Sequence, residues 1–163
     1  MYLSFNKNNL VSILFFGIFS LLLQLSFPKF FFINGFGIGF DFLLIFLTVL
    51  VFSYKNYKII FLAFILGLIQ DYIVSVEQIG IISFIKSFSI FLLGIIKKYQ
   101  FIWSSSVKYF VVFLIGFFHF LSYYFFIIND LYFFIFYISV IHSFLYFILI
   151  FIINRFFFNS KLF

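Results

Sequence analysis

Apolar residues in this chain do not alternate with polar ones. They run on in long stretches, broken only by short islands of Lys, Asn, Asp, Pro and Gly. A helix needs about 20 apolar residues to cross a bilayer, and six stretches approach or exceed that length: 10–27, 38–54, 59–76, 79–96, 107–128 and 131–153. The pattern predicts an all-α membrane protein with six transmembrane helices in one compact bundle, residues 1–163 forming a single polytopic domain.

The islands agree with that layout. Pro28 and Lys29 close the first span, whose Gly17, Ser20 and Gln24 share one helical stripe and are expected to pack inward. The segment from Phe30 to Phe40, with Gly35, Gly37 and Gly39, resists a regular helix and predicts a loop or re-entrant turn. No Lys-Ser/Thr follows it, so it is not a phosphate-cradling loop. Span two is short for a full crossing and starts at Asp41, where a carboxylate caps the helix and favours its dipole. Spans three and four reverse near Glu77 to Gly80, and spans five and six at Asn129-Asp130.

Composition places the chain outside the range of soluble domains, with 67% apolar and 9% charged residues. The absence of cysteine excludes disulfides, thiolate nucleophiles and cysteine metal sites. A net charge of +6 raises the question of nucleic acid, but the lysines are scattered at loop edges rather than gathered in a patch, so no nucleic acid is expected and the bilayer is. Their distribution orients the chain. With both termini in the cytoplasm, Lys7, Lys55, Lys58, Lys97, Lys98, Lys108, Arg155 and Lys161 lie inside, Lys29 lies outside and Lys86 lies within a span. Asp41, Glu77 and Asp130 then fall on the outer side. The first run lacks a small-residue cleavage pattern and is expected to be a retained span. Trp103, with Tyr99, Lys97, Lys98 and Lys108, is expected to anchor the inner interface.

Ionisable residues inside spans are costly and need internal partners. Gly67, Gln70, Asp71 and Val74 share a stripe of span three, and Ser83, Lys86, Ser87 and Gly94 share one of span four. At about 1.5 Å of rise per residue, Asp71 lies roughly 20 Å from its inner helix end and Lys86 roughly 16 Å from its own. The matched depths predict an Asp71–Lys86 pair, extended by Gln70 and Ser83, which either glues two helices or lines a cleft toward the outer leaflet. Spans five and six hold a second polar seam: His119 falls level with His142 and Ser122 level with Ser139 across the hairpin. The seam is read as packing glue or a proton relay. No carboxylate is expected at its depth, and two histidines are too few for a metal site. No hydrolase constellation occurs, so no enzymatic activity and no cofactor are expected.

The run FDFLLIFLTVLVF (Phe40 to Phe52), followed by GLIQD (Gly67 to Asp71), Ile79-Gly80 and FLLGIIKK (Phe91 to Lys98), resembles the MreD family of small polytopic rod-shape-determining proteins of bacteria. In that family a Pro-Asp or similar pair opens an apolar helix, a G-L-x-x-D helix end follows, and a Leu-Gly pair begins the next span. Phe40 stands here where proline is common, and Ile79 where leucine is usual. The resemblance implies a multi-pass inner-membrane component of the cell-elongation machinery. It would scaffold a bitopic MreC-like protein and, through it, MreB, RodA and a transpeptidase in lateral peptidoglycan synthesis, without catalysis. It also implies a fold like that of the six-helix substrate-binding subunits of energy-coupling-factor transporters, and marks Gly67, Gln70, Asp71 and Gly80 as candidate partner or cleft residues, to which the depth argument adds Lys86. Two alternatives stay open: a subunit that captures a vitamin-like molecule from outside, and a small ion channel built on the His119/His142 seam.

Overall fold

The apolar runs fold as helices and the polar islands end them. The structure, a computed structural model, describes residues 7–29, 31–33, 36–54, 57–74, 79–99, 101–128 and 132–158. Its helices are α1 (Lys7–Ser26), α2 (Phe42–Ser53), α3 (Lys58–Val74), α4 (Ile81–Lys98), α5 (Ser105–Ile127) and α6 (Tyr132–Phe157). The expected reversals at Glu77 and at Asn129-Asp130 lie outside the described residues, as do Lys55 and Lys161.

Between α1 and α2 the glycine-rich segment, expected as a loop or re-entrant turn, carries a short hairpin. Strands β1 (Phe31–Ile33) and β2 (Phe36–Ile38) form an antiparallel ladder that pairs Phe31 with Ile38, Phe32 with Gly37 and Ile33 with Phe36. Cross-strand pairing satisfies backbone groups that a glycine-interrupted segment cannot satisfy as a helix. The Lys29 side chain lies across Gly37, where a Cβ would collide with it.

Helix α2 is the centre of the bundle. Apolar nearly all round, it buries Leu43, Leu44, Ile45, Leu47, Leu50, Val51 and Phe52 together with Thr48, and it packs against α1, α3, α4 and α6. The other helices neighbour one another in chain order: α3 on α4, α4 on α5 and α5 on α6. The tightest approach is that of α3 to α4, where Gly67 leaves no room for a side chain: a Cβ there would stand 2.5 Å from Ser83 Cα. The stripe expected on α1 does turn inward, with Ile13, Ser20 and Leu21 buried and Gly17 against Leu66 and Phe46.

Two helices, α5 and α6, are long and apolar enough to cross a membrane. Most of the residues in their apolar windows lie outside the core. Phe118, Phe133 and Phe136 face outward, as do Phe15 on α1, Phe61 on α3 and Phe84 on α4. Helix α2, with 12 residues, rises about 18 Å against the roughly 30 Å of a hydrocarbon core. Helix α4 carries Lys86, Lys97 and Lys98.

Candidate functional site

The polar side chains of the interior hold the ends of helices. At the start of α2, Asp41 Oδ1 accepts from Leu44 N–H at 2.8 Å, the cap the sequence predicts, while Gln24 of α1 accepts from Leu43 N–H at 3.2 Å. At its end, Lys97 of α4 donates to the Val51 carbonyl at 2.9 Å. Midway, Thr48 and Tyr146 hydroxyls are bonded at 2.8 Å, tying α2 to α6.

Helix α4 starts at Gly80, whose φ of 101° is left-handed and which has no side chain to cap the helix. Asp71 of α3 supplies the missing acceptor. Its Oδ2 accepts from Gly80 N–H at 2.9 Å and Ser83 N–H at 3.1 Å, and its Oδ1 from Ile82 N–H at 3.2 Å. A carboxylate at a helix N-terminus is held both by the free N–H groups and by the dipole. It needs no ammonium.

The expected Asp71–Lys86 pair is therefore corrected. Lys86, wholly buried, is bonded instead to Asp41 Oδ2, the free oxygen of the α2 cap. Helix packing brings α2 and α4 side by side, and the Asp71 oxygens are already occupied. Ser83 joins Asp71 through its backbone and sends its own hydroxyl to the Gly80 carbonyl.

The histidine seam is corrected as well. A carboxylate does reach its depth, because His119 Nε2 lies 3.8 Å from Asp41 Oδ2. His119 Nδ1 meets Ser89 Oγ of α4 at 2.9 Å, while His142 Nδ1 meets the Tyr124 hydroxyl at 2.9 Å. The two imidazoles thus take different partners, and Phe120 stacks on His142 at 3.7 Å. Ser139 bonds the Ile135 carbonyl of its own helix, and Ser122 lines a groove between α4 and α5 rather than facing α6.

Ser89, His119 and Asp41 are the residue types of a nucleophilic triad, and the Ser89 hydroxyl lies within hydrogen-bond reach of both the Ile85 carbonyl at 2.8 Å and His119 Nδ1 at 2.9 Å. The His119 tautomer decides which way the second bond runs, and His119 Nε2 stands 3.8 Å from Asp41 Oδ2, beyond a direct hydrogen bond. Ser89, Thr48, Tyr124 and Tyr146 are not singled out by the sequence pattern, and Lys97, expected at the inner interface, is instead buried against the end of α2. Ser89 follows Lys86 at i+3 on the same buried face, the one signal pointing to it.

A cavity of about 340 Å³ opens between the C-terminal ends of α1, α3 and α5, β2 and the flank of α6. Gln70 and Asp41 line it, with Phe40, Phe120, Tyr123 and His142. Trp103, expected as an anchor, is half-buried and stacks on Tyr99. Among the described residues no group of His, Asp and Glu is placed to hold a metal. Compared with known proteins, the chain matches no family model, no curated protein and no solved structure.

Proposed function

We propose that this chain is a non-catalytic, six-pass component of a bacterial inner membrane, with both termini in the cytoplasm, that scaffolds an MreC-like bitopic protein and peptidoglycan synthases during cell elongation. The observation that carries the proposal is convergence. The stretches through which the sequence resembles the MreD family contribute Asp41, Gln70, Asp71 and Gly80 to one end of the bundle, where Asp71 holds the start of α4 and Asp41 holds Lys86. Segments far apart in the chain thus form one structural unit.

Two further features support it. The apolar side chains on the outside and the closed ion pair within suit a lipid solvent, in which each intramembrane charge needs an internal partner. The interior charges have structural uses: Asp71 holds the start of α4, and Asp41 caps α2 and neutralises Lys86. Tagged chain solubilised from bacterial membranes is expected to co-purify a bitopic MreC-like protein, and depletion of the chain is expected to round the cells. Unchanged shape and the absence of such a protein from the eluate would overturn the proposal.

A further inference from the structure

Gln70 is 4% exposed, and its Oε1 has no hydrogen-bond partner. His142, 7% exposed, leaves Nε2 equally unpartnered, with the Gly39 backbone beside it. A buried polar atom left unpaired costs roughly 1–3 kcal/mol, and these two line the same cavity. From them we infer that the cavity under the β1–β2 hairpin is a binding site for a small, planar, non-cationic molecule that carries an amide-like donor and acceptor.

Each part of that description follows from the walls. The Gln70 carbonyl oxygen calls for a donor. His142 offers Nε2 as donor or acceptor, according to whether Nδ1 accepts from or donates to the Tyr124 hydroxyl. A neutral amide supplies both complements at once. Phe40, Phe120, Tyr123 and Tyr124 furnish aromatic surfaces, and His142 is already stacked on Phe120, so a flat ring fits the remaining space. A cation is disfavoured because Asp41, the one carboxylate lining the cavity, already has its oxygens on Lys86 and Leu44 N–H, while Lys29, an ammonium, also lines it. The volume of about 340 Å³ falls within the roughly 300–1,000 Å³ usual for small-molecule sites. This goes beyond the scaffold proposal, depends on no partner protein, and implies neither transport nor catalysis.

The test uses the full chain in lipid nanodiscs and two isosteric planar probes, benzamide and benzamidinium, with binding read by calorimetry and saturation-transfer NMR. Benzamide is expected to bind saturably at millimolar concentration and benzamidinium at least about tenfold more weakly, a difference of about 1.4 kcal/mol. Gln70→Leu removes the orphan oxygen and is expected to weaken benzamide about tenfold or more. Val74, exposed at the cavity edge, gives a second variant that leaves the core untouched: Val74→Trp fills the space and is expected to abolish binding whether or not Gln70→Leu folds. Benzamide binding that survives both substitutions, a cation that binds as well as the amide, or no saturable binding of benzamide would each overturn the inference.

Discussion

Lys86 of α4 is bonded to Asp41 at the start of α2, 45 positions earlier in the chain, and both lie in the interior. The contact ties the central helix to its neighbour at the level where His119 also approaches the carboxylate. Asp41 serves two masters: one oxygen caps its own helix and the other neutralises the ammonium.

Removing one member of that pair strands a buried charge, at a cost of about 3–5 kcal/mol. Lys86→Met is therefore expected to destabilise the folded chain by that order in denaturant titrations in micelles. Asp41→Asn keeps a capping oxygen but loses the charge. The double variant is expected to cost less than the sum of the two by more than about 1 kcal/mol, since removing both charges leaves neither unpaired. Strict additivity would show that the pair is not coupled.

Asp71 answers to a different partner, and its variants separate the two networks. Asp71→Ala leaves three N–H groups of the α4 start without an acceptor. Hydrogen bonds to a charged group contribute roughly 1.5–3 kcal/mol each and do not add fully, so a loss of about 3 kcal/mol or more is expected, with Asp71→Asn in between. Hydrogen exchange should quicken at Ile82 and Ser83. Removing Lys86 as well is not expected to rescue the loss; rescue would restore the Asp71–Lys86 pairing that the sequence alone suggests.

The contact between α3 and α4 gives a steric test. Gly67→Ala places a methyl 2.5 Å from Ser83 Cα, a backbone atom that cannot swing aside, and is expected to cost about 1–3 kcal/mol. On the same α4, Gly94→Ala meets nothing closer than Val51 Cγ2 at 3.7 Å and is expected to be neutral or mildly stabilising. Equal effects of the two in thermal unfolding would mean that α3 and α4 do not approach this closely.

The helices were legible because apolar runs of this length leave few other solutions, and Asp41 was legible as a cap from its place just before such a run. The partner of Lys86 was not. Depth along one hairpin made Asp71 level with it, but depth carries no account of the three N–H groups that a glycine-started α4 leaves open for that carboxylate. The Ser89–His119 bond is hidden for a related reason: the level positions of His119 and His142 point to pairing across α5 and α6, while the His119 ring turns to α4. Strands of three residues are too short to show an alternation, so the hairpin went unseen.

Sidedness can be read with single cysteines, since the chain contains none of its own. Lys29 and Ser104 are both exposed and flank the segment that holds α2, α3 and α4. If all three cross, the two positions lie on opposite faces. Lys29→Cys is then expected to react with a membrane-impermeant maleimide in intact cells, and Ser104→Cys only after permeabilisation. The demanding case is α2, whose rise of about 18 Å falls short of a roughly 30 Å hydrocarbon core. Packed against α1, α3, α4 and α6, however, it need not reach both surfaces itself, provided that the paired hairpin at its start takes up the remaining depth. Labelling of both cysteines from the same side would mean an even number of crossings between them, with α2 the helix that turns back, and the six-pass bundle would fall with it.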